Sequence, residues 1–171
     1  MKYERFEQLP VWRASIEFAM RIYGLTEGAA FKGRFSLRDQ IERAAVSISN
    51  NIAEGFERGT TQELLTFLYI ARGSAGEVRS MLCLLEHFSA FADLKSEISN
   101  LKSMAEGISR QLRAWADSLQ SSPIKGQRYL TEKTRQGEKA ARERKEFLEK
   151  LRQIREQHKP GSAVMEKQPL D

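Results

Sequence analysis

The residue types that support metal binding or nucleophilic catalysis are scarce in this sequence. Its 171 residues include two histidines, His87 and His158, and one cysteine, Cys83. A zinc site normally uses four nitrogen or sulfur ligands, or three ligands and a water molecule. The sequence also lacks a Gly-rich phosphate loop and the GxSxG and HExxH motifs. These features predict a protein that is not an enzyme and that needs no metal or other cofactor.

Basic residues are far more numerous than histidine and cysteine, and their excess over acidic residues lies near the C-terminus. Residues 1–121 contain 15 Lys and Arg against 15 Asp and Glu, whereas residues 122–171 contain 13 against 8. The last fifty residues therefore carry the whole formal charge of +5. Such cations bind phosphate with release of counterions. The predicted nucleic-acid-binding residues of this tail are Arg128, Arg135, Lys139, Arg142, Arg144, Lys145, Lys150, Arg152 and Arg155.

Two interpretations of the tail are open at this stage. Residues 131–158 have the pattern of a charged helix with a short apolar seam formed by Phe147, Leu151 and Ile154. That seam is too small for the helix to fold alone. The helix either binds phosphate or is solvated with its acids and bases paired internally. We expect the residues after Pro160-Gly161 to be disordered.

The elements that must position these residues are predicted to be helices. Four segments repeat apolar residues with a period of 3.6, and none alternates as a strand would. The first runs from Pro10 to Thr26, and the second begins with Ser36 as its N-cap. The third begins with the capping-box pattern of Thr60 and Glu63. The fourth begins near Asp93.

The third and fourth segments have the spacing of helices that pack side by side. Their apolar residues are four and three positions apart, which favours packing at roughly 20°. The sequence therefore predicts an all-α protein, with an antiparallel up-down four-helix bundle in residues 1–121. Residues 122–171 are predicted to be a linker, the basic charged helix and a disordered C-terminus, with the boundary at Ser121-Ser122-Pro123.

The third segment has more apolar surface than one side of a bundle requires. It is either the most buried helix of the bundle or a helix that also contacts another subunit. We favour the second interpretation, because a helix in a four-helix bundle normally leaves one face in water. The predicted oligomer interface consists of Phe67, Ile70, Gly73, Gly76, Met81, Leu84 and Phe88.

Several runs in the first 120 residues resemble a known family. The run from Gln40 to Gly55, QIERAAVSISNNIAEG, is similar to the small four-helix bundle proteins encoded by intervening sequences of bacterial 23S ribosomal RNA. The run from Glu63 to Ser74, followed by Glu77, is similar to the same family. So are Phe6–Trp12 and Ile22–Thr26, and the resemblance covers roughly residues 3–120.

The resemblance implies an antiparallel bundle that assembles as a homopentamer and associates with nucleic acid, with RNA favoured over DNA. A related branch, the accessory variability determinants of diversity-generating retroelements, also binds a reverse transcriptase, which makes that enzyme a candidate partner. The positions that match the family include Arg43, Asn51, Glu54, Arg72, Gly73, Ser74 and Glu77. Arg43 and Arg72 either contact phosphate or pair with carboxylates, and Asn51 and Glu54 fit a polar network between helices or subunits.

No apolar run approaches the roughly 20 residues of a membrane span, and the start, MKYERFEQLP, has no secretory signal. We therefore expect a cytoplasmic protein without a membrane partner. The predicted function is that of a non-enzymatic, homo-oligomeric nucleic-acid-binding scaffold. We expect this scaffold to be an accessory subunit of a reverse transcriptase or retroelement ribonucleoprotein. The alternative is a protein–protein adaptor whose charged tail docks on a partner protein and does not contact nucleic acid.

Overall fold

The computed structural model describes residues 3–121, 140 and 143–153, and all regular secondary structure in them is helical. The long helices of the first part are α1 (Pro10–Thr26), α2 (Phe35–Glu57), α3 (Thr61–Leu85) and α4 (Lys95–Gln120). Short 3-10 helices precede α1, α2 and α4, at Phe6–Gln8, Ala29–Phe31 and Ser89–Leu94. The predicted all-α class is therefore confirmed. The chain divides into two compact units, residues 1–129 and 130–171.

The starts of α1 and α3 follow local sequence signals. Pro10 is the first residue of α1, where its missing N–H leaves no helical bond unmade. Thr60 caps α3, because its Oγ1 accepts a hydrogen bond of 3.2 Å from the N–H of Glu63. Both starts agree with the prediction, and so does the end of α1 at Thr26.

The start of α2 has no side-chain cap. Arg34 precedes the helix, and its Nη1 donates to the carbonyl oxygen of Ala30 at 2.7 Å. Its guanidinium also lies 5.7 Å from the centre of the Phe91 ring. The helix begins directly after this anchored residue, so Ser36 lies within its first turn. The prediction that Ser36 is the N-cap is therefore wrong.

A buried aromatic ring lies just before the start of α4. Phe91 is fully buried in the 3-10 helix before α4, and its ring meets that of Phe31 edge-on with centroids 5.0 Å apart. The 3-10 helix Ser89–Leu94 runs directly into α4, which begins at Lys95, in agreement with a predicted start near Asp93.

The apolar stripes of the four helices meet in one hydrophobic core. Among its largest fully buried side chains are Phe18, Ile22, Ile41, Ile48, Ile52, Leu64, Leu68, Leu82, Leu85, Phe91, Ile98 and Leu101. Two buried hydroxyl groups bond to their own helices: Ser15 donates to the carbonyl oxygen of Val11 at 2.7 Å, and Ser49 to that of Val46 at 3.1 Å. The buried Thr26 hydroxyl donates to the carbonyl oxygen of Tyr23 and also to the Glu42 carboxylate of α2. The core is therefore largely apolar, and these buried hydroxyl groups are hydrogen-bonded.

Polar side chains join neighbouring helices around this core. Contacts between α2 and α3 link Gln40 to Glu77, Ser47 to Ser74 and the backbone at Gly55 to Phe67. Contacts between α3 and α4 link Tyr69 to Gln120 and Glu86 to Lys102. Arg21 of α1 donates both bonds of its Nη2 to the Glu97 carboxylate of α4, at 2.7 and 2.8 Å. The bond to Glu86 raises the pKa of Lys102 above its ordinary value.

The closest approach of α2 to α3 occurs at Gly55. A Cβ atom at this position would lie 2.7 Å from the Cβ of Phe67 and 3.1 Å from Cδ1 of Leu64. Only a residue without a side chain fits between these two helices here. Among the described helices, none is both long and apolar enough to cross a membrane.

Candidate functional site

The described part of the tail is a helix that presents cations on its surface. Residues 143–153 are helical, and every side chain among them is exposed, including the cationic Arg144, Lys145, Lys150 and Arg152. The other predicted binding residues of the tail lie outside the described residues: Arg128, Arg135, Lys139, Arg142 and Arg155.

Apolar side chains share the surface of this helix with its cations. Phe147 is 60% exposed, and Leu148 and Leu151 are also exposed. At 100° per residue these three lie on the same side as Arg144, while Glu146 and Glu149 lie on the opposite side. One face of the helix therefore combines a positive charge with uncovered apolar surface.

The two arginines predicted to bind phosphate in the first unit lie on different helices and do not form one cluster. Arg43 is exposed on α2 and pairs with Asp39, one turn away, at 2.9 Å. Arg72 is half-buried on α3, three residues after Tyr69, on the side that contacts α4. No ion pair joins Arg72 to another residue of the described part of the chain. Exposed pairs such as Arg43–Asp39 contribute only about 0.3–0.5 kcal/mol, so Arg43 can exchange partners readily.

A polar network connects α2 to α3, as the interpretation of Asn51 predicts. The Nδ2 of Asn51 donates to the carbonyl oxygen of Ser47 at 2.7 Å and to its Oγ at 2.9 Å. The Ser47 hydroxyl in turn lies 2.9 Å from that of Ser74 on α3. Glu54 accepts a bond of 2.6 Å from Arg58 rather than joining Asn51, and this bond raises the pKa of Arg58.

A polar groove of about 470 Å³ lies over α2 beside this network. It is lined by Tyr23, Arg43, Val46, Ser47, Asn50, Asn51 and Glu54. Asn50 was not singled out from the sequence, although a signal was present: Ser47, Ser49, Asn50 and Asn51 are four poor helix formers within five positions.

Of these four residues, Asn50 is the one whose side chain makes no hydrogen bond to its own helix or to α3. Ser47, Ser49 and Asn51 hydrogen-bond to their own helix or to α3. Asn50 is exposed, and its side chain forms no hydrogen bond with any described residue. An exposed Asn in a helix interior costs up to about 0.7 kcal/mol relative to Ala. The groove therefore has an amide on its surface that the fold does not require.

The apolar face predicted as an oligomer interface is largely uncovered. Ile70 is 46% and Leu84 48% exposed, and Phe88 is also exposed beyond the end of α3. Phe67 is half-buried against Gly55. Gly73 and Gly76 are exposed, and a Cβ atom at either position would meet no described atom within 4 Å. Packing within the described chain therefore does not explain these two glycines.

Met81 differs from the rest of this set. It is only 7% exposed and belongs to the hydrophobic core, so its side chain cannot form part of the open face of α3. A straight helix drifts by about 20° per heptad relative to a seven-residue repeat. Further along α3 than Ile70, the core stripe has rotated towards Met81. The assignment of Met81 to the interface is therefore corrected.

Neither the groove nor the α3 face resembles a metal centre. Within residues 3–121 and the described tail helix, no group of three His, Cys, Asp or Glu side chains could hold a metal ion. Cys83 is half-buried and unpaired with another cysteine.

A comparison with known families finds a match within the first unit. The family model described as 23S rRNA-intervening sequence protein matches residues 7–114, which span α1, α2, α3 and most of α4. The chain belongs to this family. The residues that match the family include the groove on α2 and the open face of α3, and the match ends before the basic tail. No curated protein matches the chain.

Proposed function

We propose that this member of the 23S rRNA-intervening sequence protein family is a non-enzymatic, homo-oligomeric RNA-binding scaffold that acts in the cytoplasm. The helical unit assembles the copies, and the tail contacts phosphate. One observation carries the proposal: all the net positive charge lies beyond residue 121, and the cations of residues 143–153 are exposed. The family description, which refers to a ribosomal RNA sequence, supports RNA as the polyanion.

The order of the helix contacts supports an antiparallel, up-and-down bundle as the framework of this scaffold. Gln40 of α2 contacts Glu77 of α3, Ser47 contacts Ser74, and Gly55 contacts Phe67. Residue numbers therefore rise along one helix as they fall along the other. The same reversal relates α3 to α4. Short connections between these helices favour the same topology.

Assembly is proposed to use the open face of α3. Ile70 and Leu84 provide apolar surface there, and Gly73 and Gly76 would let another subunit approach the helix backbone. The resemblance supports five copies and a reverse transcriptase as a protein partner. A pentamer would carry five tails and a charge of about +25, which steers polyanions towards the assembly.

Binding by such tails would not depend on base sequence. Phosphate contacts position a nucleic acid but carry no base information. Each lost contact lowers the dependence of log affinity on log salt by about 0.7 for a single strand and 0.9 for a duplex.

The test is deletion of residues 122–171 and, separately, replacement of Arg144, Lys145, Lys150 and Arg152 by Gln. We expect either change to lower RNA affinity at least tenfold near physiological salt and to flatten its salt dependence. Gln forms helix almost as well as Lys or Arg, so the helix should be retained. The matched control replaces four exposed cations of the first unit by Gln: Lys32, Arg79, Lys95 and Arg113. Fluorescence anisotropy at several salt concentrations measures the affinity. If the truncated protein binds RNA as tightly as the full chain, the tail is not the binding element.

The adaptor function remains the second candidate because Phe147, Leu148 and Leu151 are uncovered on one face of the tail helix. Under that function, replacing Leu148 and Leu151 by Gln would release a bound protein, and the four Gln replacements of the cations would leave RNA affinity unchanged.

A further inference from the structure

We infer that the polar groove on α2 holds one unpaired nucleotide of a single-stranded RNA. This inference rests on the proposed RNA-binding function and adds a second contact, which distinguishes unpaired from paired RNA. The groove is an open depression, so a base could enter it directly from solution. Double-stranded RNA cannot present a base to such a groove, because its bases are stacked and paired.

The groove offers an apolar surface on which a base can lie. Tyr23 of α1 is 40% exposed at one side of the groove, and Val46 of α2 forms part of its lining. Unstacked RNA bases commonly pack on aromatic side chains such as Tyr. Every base has a flat face, so this contact tolerates any sequence.

Two adjacent amides stand where the edge of that base would lie. The Nδ2 of Asn51 already bonds to Ser47, which holds this side chain in place. The side-chain amide of Asn50 has no hydrogen-bond partner among the described residues, so its NH2 group and its oxygen are available to a ligand. An Asn amide can donate and accept simultaneously, which is how it recognises a base edge.

Charged groups at the rim suit the remaining parts of a ribonucleotide. Arg43 is exposed and held only by an exposed pair with Asp39, so its guanidinium can turn to a phosphate. Glu54 is balanced by Arg58 and has further lone pairs that can accept a bond from a ribose hydroxyl. The 2′-hydroxyl distinguishes RNA from DNA at such a site.

The experiment uses the full chain and three probes of equal length: an unstructured single-stranded RNA, the same sequence as single-stranded DNA, and an RNA duplex. Asn50→Ala and Tyr23→Leu should each lower affinity for the single-stranded RNA at least about fivefold, as loss of one stacked base does. Affinity for the duplex should not change. Anisotropy at fixed salt gives the affinities, and circular dichroism and light scattering check the fold and mass of each variant.

Matched controls are available on α4. Asn100→Ala removes another exposed Asn, from a different helix. Arg110→Gln is the control for Arg43→Gln. It breaks the exposed pair Arg110–Glu106, which has the same spacing as Arg43–Asp39. We expect both controls to bind all three probes as the wild type does, whereas Arg43→Gln should weaken binding of the single-stranded RNA.

Failure of the groove can be separated from failure of the tail. If deletion of residues 122–171 weakens binding but Asn50→Ala and Tyr23→Leu behave like the controls, the groove inference is overturned and the proposed function stands. If only the groove variants lose affinity for the single-stranded RNA, the inference is supported and the tail is not the binding element. An equal loss for single strand and duplex, or a lower oligomer mass of Asn50→Ala, would overturn the inference, since the groove would then contact backbone alone or another copy.

Discussion

Helix-interior glycines in this protein fall into two groups that the sequence does not distinguish. Gly55 separates α2 from α3, and a Cβ atom there would be 2.7 Å from the Cβ of Phe67. Gly24, Gly73, Gly76 and Gly107 have open space instead, because a Cβ atom added at any of them would have no described atom within 4 Å. The same residue type therefore serves close packing at one site and leaves the helix backbone uncovered at the others.

Gly55→Ala should lower the free energy of unfolding by about 1–3 kcal/mol, because the added methyl group meets a Cβ atom that cannot move without shifting a helix. Gly24→Ala is the matched control, and it should raise stability by up to about 1 kcal/mol, since Ala favours the helix and nothing obstructs it. Urea unfolding followed by circular dichroism measures both. Equal stability of Gly55→Ala and the wild type would contradict the packing described here.

At the scale of elements, local signals predict some boundaries and not others. The Pro10 start and the Thr60 cap depend on residues within one turn, so the sequence was sufficient for α1 and α3. At the start of α2, Arg34 contacts Phe91, which is far away in the chain and meets it only after folding. Sequence periodicity contains no information about that contact, and a favourable N-cap residue alone led to the error at Ser36.

The sequence is also only partly sufficient to assign residues to the exposed and buried faces of a helix. Ile70 and Leu84 of the second apolar stripe of α3 are exposed, and their role as an interface stays a prediction, whereas drift of the core stripe buries Met81. The groove on α2 requires Tyr23 from another helix, so residue spacing along α2 alone could not reveal it. The positions of four poor helix formers in α2 were the one available signal.

The stripes of α3 and α4 can be tested by truncating one buried leucine in each. Leu68→Ala and Leu112→Ala should each cost about 2–5 kcal/mol, because both side chains are buried in the core. Met20→Ala is the control, since Met20 is largely exposed on α1 and surface changes usually stay within about 0.5 kcal/mol. Thermal and denaturant unfolding give the values. A cost below about 0.5 kcal/mol at both leucines would show that these stripes do not form the core.

At the scale of the whole molecule, the proposed assembly predicts a mass several times the 19.6 kDa of one chain. Light scattering at micromolar concentration should give about five copies, the number that the resemblance supports. Ile70→Asp and Leu84→Asp should reduce this mass, because a charge on the open face of α3 would be buried without a partner. Met20→Asp places the same charge on exposed apolar surface of α1 and should leave the mass unchanged. A monomeric wild type would refute the assembly.

The helices that are neighbours in sequence are also neighbours in space, with α2 against both α1 and α3, and α4 against α3. Chains rich in such local contacts fold quickly, on the scale of microseconds to milliseconds. Synthesis proceeds from the N-terminus at roughly 5–20 residues per second, far more slowly than this folding. We therefore expect the helical unit to be complete on the ribosome soon after α4 emerges. The basic tail follows α4 in the chain, so its cations reach solution attached to a unit that has already folded.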